Sequence, residues 1–255
     1  MNQDHSQRFL NGSPLIPCAI LAGFGLFIGG CRENHKAAKA PPAFAPIAAT
    51  NSVVAPAATN DISIDPAERA AQLVADGNQL LSAGKAREAA EKYQAVLAQS
   101  PDDEDAHFNL GIALAKQGKN EEAKRHYEEA LRIVPEYAEV HNNLGNLLMQ
   151  EEKFSQAIAH FEEAIKNKPE NATAHNNLGS ALGRQGKVAE ATVHFAEAVR
   201  LNPGYVEARC NLGNSYLSQG RFDEAVAEFD AALKLQPGFP PALRGLATVR
   251  SRQSR

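Results

Sequence analysis

The sequence predicts an all-α chain, a solenoid of five consecutive helical hairpins closed by one further helix at the C-terminal end. Three observations carry this expectation. A glycine recurs as Gly77, Gly111, Gly145, Gly179 and Gly213, and an alanine as Ala89, Ala123, Ala157, Ala191 and Ala225, every step being 34 residues. An aromatic column, Tyr93, Tyr127, Phe161, Phe195 and Phe229, and a proline column, Pro101, Pro135, Pro169, Pro203 and Pro237, keep the same step without a gap. Finally, 44% hydrophobic residues with no Trp and only 6% aromatics describe a folded chain whose core is filled with Ala and Leu.

Bulk properties also exclude function classes. Lys and Arg number 26 against 30 Asp and Glu, a formal charge of −4, so a phosphate backbone meets no general attraction and nucleic acid is not an expected partner. The three cysteines, Cys18, Cys31 and Cys210, are too few and too scattered for a disulfide framework or a paired-cysteine zinc site.

The first element, residues 1–30, reads as a signal peptide. Leu15 to Gly30 is a run of sixteen residues without a charge, between Arg8 and Arg32. A helix needs roughly 20 apolar residues to cross a bilayer core, and Pro17 interrupts the first turn, so a secretory segment is expected rather than a span. Ile28-Gly29-Gly30-Cys31 resembles the bacterial lipobox, which implies cleavage before Cys31 and lipidation of that cysteine. The implied location is the cell envelope, facing the periplasm. Arg32 after the cysteine resembles the pattern of lipoproteins retained in the outer membrane. The alternative is an uncleaved inner-membrane anchor, for which Gly25 and Gly29 supply a small-residue contact face.

Residues 31–65 form a linker, because the stretch 36–60 holds ten Ala and four Pro with no acidic residue, so that helix-favouring Ala is repeatedly interrupted. Order resumes where Asp65 can cap a helix and Pro66 suits its first position.

Residues 66–239 carry the five units, 70–103, 104–137, 138–171, 172–205 and 206–239. In the second, Leu110 and Leu114 stripe a helix from Glu104 to Gln117, and Ala123, Tyr127, Ala130 and Leu131 stripe another from Asn120 to Val134. Gly118-Lys119 turns between them and Pro135 stops the second helix. Gly111 and Ala123 remove bulk where the helices cross, and the aromatic ring fills the space left. No hairpin buries its stripe alone, so neighbours must stack. In residues 240–255, Leu243, Leu246 and Val249 give a capping helix one apolar stripe, with Arg244, Arg250, Arg252 and Arg255 outside.

These columns resemble the tetratricopeptide repeat over residues 70–239, with Leu73, His107, His141, His175 and Arg209 standing where that family usually has Trp. The resemblance implies a right-handed superhelix whose first helices line a concave groove, a non-enzymatic scaffold, and protein or peptide partners. On the expected groove stand Asn109, Asn143, Asn177 and Asn211 at the 34-residue step, with Asn142, Asn146, Asn176 and Asn214 beside them. An amide both donates and accepts, so such a row can pair with the backbone of an extended chain whatever its side chains. This resembles the asparagine ladder of the O-linked N-acetylglucosamine transferases. The alternative is that the amides cap or bridge neighbouring helices.

The carboxylate clamp of cochaperones needs Lys and Arg on this stripe; here stand Asp105, Glu139, Thr173 and Glu207, which favours basic or neutral segments. The histidines form two columns, His107, His141, His175 and His126, His160, His194. Equivalent positions of adjacent units lie roughly 18–20 Å apart if each helix takes 8–10 Å, too far for one metal shell, so packing or surface roles are expected, with no metal. No HExxH, P-loop or GxSxG motif occurs, no catalytic residue and no cofactor is expected, and Cys210 reads as a packed thiol.

The sequence therefore points to a membrane-tethered interaction scaffold, a layout that resembles pilus-assembly and envelope-assembly lipoproteins. Two alternatives remain, an accessory substrate-recruiting subunit of an enzyme complex and a scaffold that docks its partner on the convex face.

Overall fold

The computed structural model describes residues 65–254. The expected signal peptide, the expected lipidation site Cys31, the expected linker up to residue 64 and Arg255 lie outside the described residues, which form eleven helices and no strand. In chain order these are α1 (Pro66–Ser82), α2 (Ala86–Leu97), α3 (Glu104–Lys116), α4 (Asn120–Ile133), α5 (Ala138–Gln150), α6 (Phe154–Asn167), α7 (Ala172–Arg184), α8 (Val188–Leu201), α9 (Val206–Ser218), α10 (Phe222–Leu235) and α11 (Pro240–Gln253). Among the described residues none is long and apolar enough to cross a membrane.

Local chemistry sets the helix ends. Asp65 accepts from the Ala67 N–H at 3.3 Å with Pro66 opening α1, Asp103 accepts from Ala106 N–H at 2.7 Å, and Asn171 from Ala174 N–H at 3.0 Å. In the second unit both helices end one residue before the expected position. Val134 is extended (φ −126°, ψ 89°) because the ring of Pro135 excludes helical backbone from the residue before it. The turn inside each hairpin needs left-handed backbone, and Gly84, Gly118, Gly186 and Gly220 provide it at φ between 74° and 78°. The third unit places Glu152 there instead, at φ 58°.

A glycine and an aromatic ring lock each hairpin. A Cβ built on Gly77 would stand 2.6 Å from the Tyr93 ring, on Gly145 2.5 Å from Phe161, on Gly179 2.8 Å from Phe195 and on Gly213 2.7 Å from Phe229, and on Gly111 it would collide with Tyr127. Beside each ring, Ala89, Ala123, Ala157, Ala191 and Ala225 are buried. Tyr93 keeps its hydroxyl useful by donating to Asn78 Oδ1 at 2.8 Å, and burial pushes its pKa up to about 12.

One apolar cluster runs from Ala89 to Leu212, and a second joins Cys210, Leu217, Phe229, Ala242 and Val249 around α9, α10 and α11. The expected inward stripe of α11 is corrected at one position: Val249 is buried and Leu246 packs partly buried against this cluster, but Leu243 is 48% exposed, and Ala242 and Gly245 are buried. The cause is the Phe229 ring, which lies so close to Gly245 that α11 must turn its smallest residues toward it.

The first helices also touch one another directly, α1 on α3, α5 on α7, α7 on α9 and α9 on α11. Among the described residues no second helix packs comparably on the next second helix. A stack closer on one side curves toward that side, which puts the first helices on the inside.

Candidate functional site

The inner wall is a row of side-chain amides. Asn109 on α3, Asn142 and Asn146 on α5, and Asn176 and Asn177 on α7 are buried, while Asn143, Asn211 and Asn214 are half-buried. The amides do not form one straight column. Asn177 Nδ2 donates to Asn142 Oδ1 at 3.0 Å and Asn211 Nδ2 to Asn176 Oδ1 at 2.9 Å, each reaching back 35 residues to the neighbouring column of the preceding unit. Asn176 Nδ2 also approaches the Tyr205 hydroxyl at 3.4 Å. The staggered row ends at Phe108, which replaces the amide that Asn143 would need on α3 and instead packs its ring tilted against Tyr137, with ring centroids 5.1 Å apart.

Asn146 differs from the rest. It is 7% exposed, and its Oδ1 is the one fully buried side-chain polar atom among the described residues that has no hydrogen-bond partner. Leaving such an acceptor unmade costs about 1–3 kcal/mol. One helical turn from Asn142 and Asn143, it shares their face of α5.

The carboxylate stripe is partly engaged. The Tyr137 hydroxyl donates to Asp105 Oδ1 at 2.6 Å and Lys168 Nζ to Glu139 Oε1 at 3.0 Å. Burial, then the bond to Asp105, pushes the Tyr137 phenol far above its ordinary pKa; burial, then Glu207, raises that of Tyr205. Three of the four stripe positions remain acidic, Asp105, Glu139 and Glu207.

Away from the amides, the two histidine columns meet inside each unit. His107 Nδ1 lies 3.0 Å from His126 Nδ1, His141 Nδ1 2.9 Å from His160 Nδ1, and His175 Nδ1 3.2 Å from His194 Nδ1. The other ring nitrogen of His107, His141 and His175 bonds the carbonyl of Pro101, Pro135 and Pro169 at 2.9, 2.9 and 3.1 Å. In the fifth unit Arg209 Nε donates to the Pro203 carbonyl at 2.9 Å and Arg209 Nη1 to Glu228 Oε2 at 2.8 Å. Comparing equivalent positions of different units had hidden this. The legible signal was the constant offset of 19 residues between the columns, which Arg209 and Glu228 share with opposite charges. Among the described residues no group of three or more His, Cys, Asp or Glu is arranged to hold a metal ion.

Two tetratricopeptide repeat profiles match the chain, one over residues 142–206 and one over residues 80–147 and 182–249. No curated protein sequence matches it significantly. Among solved structures it is similar to PilF of Pseudomonas aeruginosa, at 22% identity over 74% of this chain and 87% of that one, with a TM-score of 0.67. MamA matches at 24% identity over 63% of this chain and 94% of that one, TM-score 0.56. YrrB, described as a tetratricopeptide repeat protein with an unusual peptide-binding site, matches at 25% identity over 69% and 90% of the two chains, TM-score 0.56. Those structures share the stacked hairpins, the profiles cover most of the units described above, and the chain accordingly belongs to the tetratricopeptide repeat family.

Proposed function

We propose that this protein is a membrane-tethered scaffold of the cell envelope that grips an extended, neutral or basic peptide segment of a partner protein along the amide row of α3, α5, α7 and α9. Its repeat fold suits protein interaction rather than catalysis. The observation that carries the groove reading is the amide row itself, with Asn142, Asn143 and Asn146 on one face of α5 and Asn143, Asn211 and Asn214 only half-buried. An amide that reaches solvent both donates and accepts, so it can pair with the backbone of an extended chain. The links Asn177 to Asn142 and Asn211 to Asn176 hold neighbouring amides in fixed orientation, which lowers the ordering cost of binding. At roughly 0.5–1.5 kcal/mol per hydrogen bond, a few rungs give micromolar affinity once ordering is subtracted. The acidic stripe disfavours an anionic segment, and likeness to YrrB adds support for a peptide ligand.

The tether is Cys31, read from the apolar run that ends in Ile28-Gly29-Gly30. An acyl chain stabilises membrane attachment by about 0.8 kcal/mol per buried methylene, so two chains hold a protein firmly. Cys31→Ser is expected to move the protein to the soluble fraction or to leave an unprocessed precursor. Normal processing and membrane retention of that variant would overturn the anchor.

A second reading has its own observation. Because Asn177 and Asn211 already use a donor on Asn142 and Asn176, the row serves packing, and a partner could then dock on the convex side. Fluorescence polarisation with extended decapeptides, neutral, Lys-bearing and Glu-bearing, separates the two. The groove predicts that Asn143→Ala with Asn146→Leu weakens the neutral and Lys-bearing peptides about tenfold or more with helicity retained. Equal binding by variant and parent favours the convex face.

A further inference from the structure

The three histidine pairs go beyond peptide binding. We infer that they are proton-sensitive latches, each tying the loop that enters a unit to both helices of that unit, and that these junctions weaken together as the solution becomes mildly acidic.

The tautomers follow from the bonding. A carbonyl oxygen only accepts, so His107, His141 and His175 carry their proton on Nε2 and donate it to Pro101, Pro135 and Pro169. Their Nδ1 is therefore a bare acceptor, and the proton of the second bond belongs to Nδ1 of His126, His160 and His194. Each latch reads carbonyl, first imidazole, second imidazole, spanning the proline loop, the first helix and the second helix. The ring centroids lie 5.2 to 5.4 Å apart in all three units, so one geometry is repeated three times.

A closed latch has room for one extra proton at most. The first goes to Nε2 of the second histidine and leaves the Nδ1–H···Nδ1 bond intact. A second puts hydrogens on both Nδ1 atoms and two positive charges about 3 Å apart, which the bond cannot survive. An opened pair takes up two protons. Well below the ordinary histidine value and above the pair's second titration, opening therefore binds at least one proton more than closing. Burial, and then the partner imidazole, lowers the pKa of His126, His160 and His194, which strengthens the preference of the closed state for the neutral form.

The charges around the three latches differ. Glu122 and Glu129 of α4 favour protonation of His126, with Glu129 itself bound to Arg132, which also pairs with Asp102 of the entering loop. Glu190 and Glu197 of α8 favour that of His194, and Arg200 holds Glu197. His160 has only Glu163, bound to Lys166, and faces Lys124 from α4. In the fifth unit Arg209 and Glu228 close the same three elements with a guanidinium and a carboxylate in place of the two imidazoles.

The sign is explicit. Depressed histidine values in the fold mean that the stabilisation is present above the ordinary value near 6.5 and is lost as pH falls from there toward the lowered ones. Glu129, Glu163 and Glu197 sit below the usual carboxylate value through their Arg or Lys partners, so they titrate further into acid. Six of the chain's eight histidines belong to the latches.

The test is urea unfolding of the full chain between about pH 7.5 and 5, with and without EDTA, beside a variant in which all three pairs become Arg and Glu: His107→Arg with His126→Glu, His141→Arg with His160→Glu, and His175→Arg with His194→Glu. The parent's unfolding constant is expected to rise about tenfold per pH unit for each latch below pH 6.5, and the variant's to rise less than tenfold in all. Equal slopes overturn the inference, as does a parent slope that vanishes with EDTA, which would assign the pairs to a metal. Should the sixfold variant not fold, 15N histidine spectra of the parent decide: Nε2–H at His107, His141 and His175 with Nδ1–H at their partners supports the latch, and the opposite tautomers or six independent titrations near 6.5 overturn it.

Discussion

Units two to four and unit five have the same frame and close it with different chemistry. In each, the carbonyl of the entering proline, the fourth position of the first helix and a position 19 residues further on meet in one chain of hydrogen bonds. Units two to four use two imidazoles; unit five uses Arg209 and Glu228, side chains 18% and 22% exposed. The repeat backbone thus dictates where a donor must stand, while its charge and its response to protons are left to the individual unit. Three junctions rest on imidazole pairs and the fourth on a guanidinium and a carboxylate.

What the regions share gives the largest effect. Phe161→Ala and Phe229→Ala are each expected to cost about 3–5 kcal/mol in urea unfolding. Phe229→Ala should also release α11 to protease, since that ring rests on both Gly213 and Gly245; an intact α11 in that variant would show that unit five is held otherwise. Next, Gly145→Ala should cost about 1–3 kcal/mol, because its Cβ would stand 2.5 Å from a ring with no room to move. An unchanged midpoint would mean that the hairpin lock is looser than its geometry.

A sharper comparison replaces the donors. Arg209→Met should cost about 1–2 kcal/mol at both pH 7.5 and pH 5.5, since Glu228 is left without its cation. His141→Met should cost a similar amount at the higher pH and much less at the lower, where the parent latch has already weakened. Parallel losses at both values would erase the distinction between the regions. The smallest effect concerns the turn column alone: Glu152→Gly should gain about 0.5–1 kcal/mol by relieving left-handed backbone at a position where the other four units have glycine.

Much of the fold could be read directly. The glycine, alanine and aromatic columns name the atoms that meet in each hairpin, because a contact between residues 16 apart, such as Gly145 and Phe161, is local to one turn and repeats with it. The helix ends followed from Pro135 and its neighbours to within one residue. The site was legible only in part. The asparagine columns were plain, but their bonds join residues 35 apart, one more than the period, so each crosses from one column to the neighbouring one of the preceding unit. The histidine pairs stayed hidden although both columns were visible, since nothing in a column says which other column it faces.

The chain's sequence alone determined the unit, its length, its turn and its internal lock, because these depend on backbone preference and on side-chain volume within one hairpin. Tertiary structure alone decided which amides became cross-links, which left a buried oxygen at Asn146 without a donor, how α11 rotated to admit Phe229, and that imidazole faces imidazole. Those outcomes turn on the angle and offset between neighbouring helices, and differences of about an ångström there separate a hydrogen bond from no contact.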